Sequence, residues 1–302
     1  MTRELVSVVI PAYNQGQFVR DAVLSALEQT YQPLEVIVID DGGTDDTRQQ
    51  LEPFFDRITY VCQRNAGVAA ARNAGIRRAR GEWIALLDAD DLWHPQKLEV
   101  QLRAVRGRED VALVGSPIGS SLVDSRLPTP VVRELTLRDF LLSSRIGPSS
   151  ALIRRRCFEI VGSFDETLSS VEDRDMWLRL AGGGFTCVLV DSPCWWYRCH
   201  PMQMSRDSHR MFVNFSRVLS KFFATQPQHR ELYRLAMAYL YFDAVWPYFE
   251  DGKRFLALYC LVRSAWYRPL GLGDEQIKTR FIRSKRALRL MFGARPTDPG
   301  AA

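Results

Sequence analysis

The sequence predicts an α/β sandwich with a C-terminal helical extension. In the first 115 residues, short apolar segments alternate with segments of helical periodicity, which is typical of a sheet covered by helices. From about residue 211 onward, aromatic and apolar helical patterns replace the strands. We therefore predict two domains, a strand-rich domain over residues 1–210 and a helical, basic region over residues 211–302.

Five short segments, mostly of β-branched residues, predict buried strands of a parallel sheet. They are VSVVI at 6–10, VIVI at 36–39, ITYV at 58–61, WIALL at 83–87 and VALVG at 111–115. Strands of this kind are apolar along their whole length because helices cover both faces of the sheet.

Helical patterns lie between these strands. In QFVRDAVLSALEQ the apolar residues recur at helical spacing. In GVAAARNAGIRRARG alanines favour a helix that ends at Gly81, and Pro95 suits the first turn of the next helix. We expect a loop-rich segment over 117–150 with a short helix near 136–143, and then two further strands and two helices over 150–190.

The composition excludes several classes of protein. With 46% hydrophobic and 25% charged residues the chain is typical of a globular protein, and a net charge of +5 is too small to indicate nucleic acid by itself. No apolar run of about 18 residues predicts a membrane-spanning helix, and the first residues do not resemble a signal peptide. Six cysteines without a CxxC pair indicate a reducing compartment. We expect a cytoplasmic protein with no nucleic-acid partner.

Three carboxylates follow the fourth predicted strand, at Asp88, Asp90 and Asp91. Clustered acids repel one another and resist burial, so they indicate a cation or a ligand. On extended backbone, Asp88 and Asp90 point the same way and suit magnesium or manganese shared with a diphosphate. The alternative is a helix cap supplied by Asp91 ahead of Pro95, although a cap needs one acid and not three.

A second acidic segment, DDGGTDD, ends the second predicted strand at residues 40–46. Asp40 or Asp41 could accept hydrogen bonds from a nucleotide base or from ribose hydroxyls. The alternative is a turn followed by acids in the first turn of a helix, which accounts for Asp45 and Asp46. Neither GxGxxG after the first strand nor GxxxxGKS/T occurs, which argues against dinucleotide and P-loop sites.

Six segments, taken in chain order, closely resemble the family 2 glycosyltransferases of the GT-A fold. They are VSVVIPAYNQ, VIVIDDGGTDDT, NAGVAAARNAGI, LLDADD, FDE and EDRDMWLRLA, and together they cover about residues 5–205. The resemblance implies a Rossmann-like nucleotide-diphospho-sugar transferase sandwich, a nucleotide-sugar donor, Mn²⁺ or Mg²⁺, and inversion at the anomeric carbon. A preference for UDP-sugars rests on the resemblance alone.

The resemblance also implies roles for individual residues. The nucleoside pocket would be lined by Pro11, Ala12, Tyr13 and Asn14. Base and ribose would be contacted by Asp40, Asp41 and Arg72, and the ribose and sugar would lie near Asp88. The main metal ligand would be Asp90, and His200 matches a histidine that contacts the metal or the diphosphate in some relatives. For His200, a structural role is the alternative.

Asp173, in EDRD, matches the catalytic base of the family. An acceptor hydroxyl is a poor nucleophile, so a carboxylate must take its proton as attack proceeds. The diphosphate leaves from the opposite face, where the cation lies, so base and metal ligand must come from different chain segments. Glu172 and Asp175 are weaker candidates for the base.

One residue departs from the family pattern, since Gly43 stands where a serine or threonine is usual, and we expect a looser loop there. The QxxRW motif of processive relatives is absent, as are predicted membrane helices, which favours transfer of one sugar at a time. Trp195 and Trp196 could stack on a sugar or pack inside the protein. Trp177 is expected in the core or at the floor of the acceptor site.

A basic segment over 277–292 carries six Lys and Arg residues and no acid. It could be a solvated helix face, or it could lie on anionic lipid at the inner face of a membrane.

We expect sugar transfer to a hydroxyl of a glycan or lipid-linked acceptor in cell-surface polysaccharide synthesis. The alternatives are a nucleotidyltransferase and a non-catalytic nucleotide-sugar- or glycan-binding protein of the same fold.

Overall fold

The structure is a computed structural model, and it describes residues 3–119, 127, 130–143 and 146–269. The chain divides into two compact units, Met1–His200 and Pro201–Ala302, and each is described by itself. The basic segment over 277–292 lies outside the described residues, so both interpretations of it stay predictions.

The described part of the first unit contains a large sheet and a small one. The strands are β1 Val6–Ala12, β2 Leu34–Asp40, β3 Thr59–Cys62, β4 Trp83–Leu86, β5 Leu92–Trp93, β6 Val111–Gly115, β7 Val132–Leu135, β8 Leu152–Arg154, β9 Thr186–Val190 and β10 Trp195–Trp196. The large sheet has the order β3-β2-β1-β4-β8-β6-β9-β7, and β5 pairs with β10 in the small one.

The prediction of a buried parallel sheet is correct only in part. Strands β1 to β4 are parallel, and β6 is parallel to β9. However, β8 runs antiparallel between β4 and β6, and β7 runs antiparallel to β9. Apolar residues signal burial of a strand but do not determine the direction of its neighbours. β3 lies at the sheet edge and has no buried residue, because an edge strand needs no apolar cover on both faces.

Helices connect the strands of the first unit. They are α1 Gly16–Leu27, α2 Thr47–Leu51, α3 Val68–Ile76, α4 Lys97–Ala104, α5 Leu137–Leu142, α6 Cys157–Val161 and α7 Glu172–Gly182, with 3-10 turns at Glu52–Phe54 and Pro148–Ser150. Two predicted ends were wrong, since α3 stops before Gly81 and α4 begins after Pro95. α3 lies close against β1 because of Gly75, where a Cβ would lie 2.4 Å from Val9 Cγ1.

The second unit is helical in the part that the structure describes. Its elements are the 3-10 turns Met204–Arg206 and Pro227–Leu232 and the helices α8 Ser208–Thr225, α9 Tyr233–Glu250 and α10 Arg254–Tyr267. Buried Val245 and Tyr248 on α9 form a small core with Ala257 and Cys260 on α10. None of the helices described is both long enough and apolar enough to cross a bilayer.

Candidate active site

Three strand ends meet at one edge of the large sheet, as the motifs predict. β1 lies between β2 and β4, and Ala12 is in register with Asp40. Every residue of β1 and β4 is buried, so tight packing determines where the chain leaves the sheet. The segments that begin at Tyr13, Asp41 and Leu87 therefore lie side by side, where ligands bind in open α/β sheets.

The loop after β2 is tied to the end of β1. Asn14 has a φ of 52°, in the left-handed region that asparagine tolerates. Its Oδ1 accepts the backbone N–H of Thr44 at 2.8 Å, and the N–H of Gly43 donates to Asp40 Oδ1 at 3.0 Å. A Cβ on Gly43 would lie 3.1 Å from Asn14 Oδ1, so glycine allows this close approach. The loop that we expected to be looser is held without the missing hydroxyl.

The four residues predicted to line the nucleoside pocket differ in accessibility. Pro11 and Ala12 are buried within β1. The side chain of Tyr13 is 49% exposed at the strand end, next to partly buried Asn14. An exposed aromatic ring can stack on a nucleobase, so Tyr13 and Asn14 are the members of this group that a ligand can reach.

The two acids at the end of β2 are buried and already hydrogen-bonded. Asp40 Oδ2 accepts the hydroxyl of Tyr60 at 2.6 Å. Asp41 accepts Gln63 Nε2 at 2.7 Å and the backbone N–H groups of residues 66–67 at 3.0 and 2.8 Å. Asp41 therefore holds the segment ahead of α3, and contact of either acid with base or ribose stays a prediction.

The acids Asp45 and Asp46 precede α2 instead of lying in its first turn, so that expectation was wrong. Asp45 Oδ2 accepts the N–H of Gly16 at 2.8 Å, and its Oδ1 accepts the hydroxyl of Thr47 at 2.6 Å. Asp45 thus satisfies a backbone donor at the start of α1, where helix N–H groups otherwise lack partners.

The segment Asp88–Asp91 is a turn, because the N–H of Asp91 donates to the Asp88 carbonyl at 3.0 Å. The assumption of extended backbone was therefore wrong, and each carboxylate has its own partner. Asp90 Oδ2 lies 2.8 Å from His200 Nε2, and Asp91 Oδ2 accepts the hydroxyl of Ser149 at 2.5 Å. Asp91 is not a helix cap, since α4 has no side-chain cap.

Two carboxyl groups of this acidic turn, those of Asp90 and Asp91, have raised pKa values. Burial raises the pKa of Asp90, and the charge of Asp88 raises it further. The same two causes raise the pKa of Asp91 to about 8. A divalent cation at this turn would supply the positive charge that the carboxylates need in order to ionise together.

Asp90 and His200 are suitable as two ligands of a divalent cation whose other coordination positions a bound diphosphate would fill. Within the described residues, no three His, Cys, Asp or Glu side chains are arranged to hold a metal alone. Asp90 offers an oxygen and His200 a nitrogen, both of which Mn²⁺ accepts. Ions such as Mg²⁺ normally bind one or two carboxylates and keep their other positions for water and substrate phosphates. The rings of Phe18 and His200, 4.9 Å apart, help to orient the imidazole.

Arg72 on α3 connects the acidic turn to α7. It is 2% exposed, its Nη2 lies 2.5 Å from Asp88 Oδ1, and its Nη1 pairs with Glu172. Burial lowers the pKa of Arg72, but the two carboxylates outweigh this and hold the pKa above its usual value. The sequence does not indicate this bridging role, and the contact of Arg72 with base and ribose stays a prediction.

Asp173 lies in the first turn of α7 and is 8% exposed. Its neighbours are paired, since Glu172 binds Arg72 and Asp175 binds Arg179 at 2.8 Å. Asp173 itself has no ion pair within the described residues. Burial, and then the charge of Glu172, raise the pKa of Asp173 to about 7, although Arg72 opposes this. Asp173 is therefore the acid of this helix best suited to exchange a proton near neutral pH.

Three residues that were not predicted from the sequence also shape this site. Fully buried Ser149 accepts the N–H of Asp88 at 3.0 Å while it donates to Asp91. The backbone N–H of Arg198 donates to Asp91 Oδ1 at 3.2 Å. Val171, directly before α7, has a φ of 57°, which is strained for a β-branched residue. No motif in the sequence signals these positions.

The three tryptophans for which the sequence left two roles open differ in burial. Trp177 is buried and its Nε1 donates to the Ile146 carbonyl at 3.0 Å, so it belongs to the core. Trp195 is buried and its Nε1 donates to the Ser116 carbonyl at 3.1 Å. Trp196 is 39% exposed on β10, whose partner β5 follows the acidic turn, so its ring is accessible to a ligand.

Solved structures share this fold. The chain superposes on S. aureus TarS 1-349 in complex with UDP-GlcNAc with a TM-score of 0.58 at 16% identity, over 87% of this chain and 92% of that one. It superposes on mannosyltransferase PcManGT from Pyrobaculum calidifontis, in complex with GDP-Man and Mn²⁺, with a TM-score of 0.62 at 18% identity, over 97% and 89%. These likenesses show the fold alone, and they confirm the predicted GT-A sandwich.

Sequence relatives define the family. An uncharacterized glycosyltransferase of Rickettsia prowazekii is 33% identical over 185 residues, and the match covers 58% of this chain and only 58% of that protein. The putative teichuronic acid biosynthesis glycosyltransferase TuaG of Bacillus subtilis is 35% identical over 198 residues, 61% of this chain and 75% of that one. The family described as Glycosyl transferase family 2 matches residues 7–159, half of the chain. The chain therefore belongs to the family 2 glycosyltransferases.

Proposed function

We propose that this protein is an inverting, metal-dependent transferase that moves one sugar from a nucleoside-diphosphate sugar to a hydroxyl of a glycan or lipid-linked acceptor. We propose a UDP-sugar as donor and cell-surface polysaccharide synthesis as the process. The donors bound by the two structural neighbours, UDP-GlcNAc and GDP-Man, support a nucleotide-sugar donor, and the UDP-GlcNAc complex of TarS supports uridine as its base. The name of the Bacillus relative supports polysaccharide synthesis as the process.

One observation carries the proposal. A buried carboxylate with a raised pKa, Asp173, and a pair of suitable metal ligands, Asp90 and His200, come from separate chain segments. Arg72 joins these segments through its ion pairs with Asp88 and Glu172. Direct displacement at a sugar needs this separation, because the base acts on one face and the leaving group departs from the other.

In the proposed reaction, the acceptor hydroxyl lies against the anionic carboxylate of Asp173. Asp173 takes the hydroxyl proton as the oxygen attacks the anomeric carbon, and the bond from that carbon to the diphosphate breaks. Tyr13 and Asn14 border the nucleoside, while Asp90 and His200 would hold Mn²⁺ or Mg²⁺. When bound, the cation neutralises charge that develops on the departing diphosphate. No covalent intermediate forms, so the anomeric configuration inverts.

The stereochemistry of transfer tests this function. The full chain is incubated with manganese and UDP-, GDP-, dTDP- or CDP-sugars, with a glycan hydroxyl or water as acceptor, and proton NMR follows the first product. We expect turnover with one nucleotide class and a product of opposite anomeric configuration. Retention of configuration would contradict direct displacement, and no turnover with any donor would favour the non-catalytic binding protein.

We expect kcat to rise with pH and to level off above about pH 7, because only ionised Asp173 can accept a proton. The raised pKa means that the carboxyl is protonated, and inactive as a base, below that pH. An ordinary aspartate would place the rise near pH 4. The measurement is kcat under saturating donor and manganese, which suppresses titration of the metal ligands. A rate that is flat between about pH 5 and about pH 8 would contradict the assignment.

A further inference from the structure

One face of α10 exposes a line of large apolar side chains, which we name the α10 stripe. It consists of Phe255, Tyr259, Val262 and Trp266. Spacings of four, three and four residues place all of them on one side of a helix with about 3.6 residues per turn. Phe255 is 91% exposed, Val262 59% and Trp266 63%, so this is a continuous surface and not scattered single residues.

The opposite face of α10 is already covered. Ala257, Cys260, Leu261 and Ser264 are buried, and α9 supplies the packing partner. The hydroxyl of Ser264 donates to the carbonyl of Ala238 on α9 at 2.7 Å. The helix is therefore apolar on two opposite sides, and a helix of this kind is normally enclosed on both. The α10 stripe thus needs a second apolar environment.

The charged side chains that α10 itself carries are all basic. The chain from Lys253 to Arg268 contains no acid. Arg254 and Arg263 lie on either side of the stripe at helical spacing. The guanidinium of Arg263 lies 5.1 Å from the ring centroid of Trp266, so its stem runs along the apolar surface while its charge stays at the edge.

We propose that the α10 stripe docks in the interface of an anionic lipid bilayer. Aromatic side chains at the level of the headgroups, apolar side chains below them and basic residues at both edges characterise helices that lie in a membrane surface. Each Lys or Arg near an anionic surface adds attraction. The basic segment over 277–292, with six Lys and Arg residues and no acid, continues the same sign of charge along the chain.

A second copy of the chain fits this surface less well. A two-fold contact would place the same patch of both copies against itself, so that residue i of one copy meets residue j of the other and the reverse. Arg254 and Arg263 would then lie against a second α10 helix, which carries no acid to pair with them. Anionic headgroups supply the missing charge, which is why the lipid surface is the preferred occupant.

The test is co-sedimentation of the full chain with phosphatidylcholine vesicles, with and without phosphatidylglycerol. We expect binding to the anionic vesicles, and a triple variant Phe255→Ser, Val262→Ser, Trp266→Ser should lower the partition coefficient at least about tenfold. Arg254→Gln with Arg263→Gln should reduce the preference for anionic vesicles while the stripe stays intact. Circular dichroism should show unchanged folding, because all three serine positions are exposed.

The matched control replaces exposed apolar residues of the first unit, Val131→Ser with Ile160→Ser, and should leave sedimentation unchanged. Equal binding of the triple variant and the wild type would overturn the proposal, as would failure of the wild type to bind anionic vesicles. A lipid-independent dimer that the triple variant converts to a monomer, detected by light scattering, would assign the stripe to a second copy instead.

Discussion

Replacement of Asp173 by asparagine is expected to lower kcat for sugar transfer by roughly 10²–10⁴-fold, the usual contribution of a general base. The amide keeps the size of the carboxylate but cannot accept the hydroxyl proton. Donor binding should survive, because the acidic turn and Tyr13 stay in place. The measurements are kcat under saturating donor and the dissociation constant of the nucleoside diphosphate with manganese.

Asp175→Asn on the same helix is the matched control. Asp175 is buried like Asp173, but it is paired with Arg179, so its loss should weaken folding and leave kcat of the folded protein nearly unchanged. If Asp173→Asn turned over donor as fast as the wild type, Asp173 would not be the base. If Asp175→Asn abolished kcat in folded protein, Asp175 would take its place.

The second large expected effect is on the free energy of unfolding. Arg72→Met is expected to lower the free energy of unfolding by about 3–5 kcal/mol, the range typical when one partner of a buried ion pair is removed. Glu172, whose side chain is 6% exposed, would be left without its partner, and partly exposed Asp88 would lose its counterion. Urea unfolding of the full chain, followed by circular dichroism, measures the change.

Two further variants distinguish the buried ion pairs of Arg72 from an ordinary ion pair at the surface. Arg80→Met removes an arginine that is 78% exposed and pairs with Glu35, so it should cost about 1 kcal/mol or less. Arg72→Met with Glu172→Gln removes one of the stranded charges and should recover about 1–3 kcal/mol of the Arg72→Met loss. Equal stability of Arg72→Met and Arg80→Met would mean that the bridge does not hold the site together.

The strands and their ends could be predicted because buried strands and acidic turns leave strong local signals. Residues 36–39 and 83–87 are apolar without interruption, and Asp40 and Asp88 follow them directly, so the edge that carries the site could be inferred. The antiparallel strand β8 could not be foreseen, because its three residues LIR carry no information about the direction of its neighbours.

The partners within the site were less predictable for a physical reason. Arg72 and Glu172 are 100 positions apart in the chain, and Ser149 and Asp91 are 58 apart. Their pairing depends on how closely packing brings the helices and loops together, for instance where Gly75 on α3 lies against Val9 on β1. Residue types alone indicated that the acids need positive charge, but only the fold shows which residue supplies it.

Calorimetric binding of UDP, GDP, dTDP and CDP to the full chain, with and without manganese, tests the donor and metal site most directly. We expect one nucleotide to bind in a manganese-dependent manner, Asp90→Asn to abolish the manganese effect, and Asp173→Asn to leave binding intact. Binding that is equally tight without manganese, or unaffected by Asp90→Asn, would contradict the metal site. It would also remove the basis for assigning base and metal to opposite sides of the sugar.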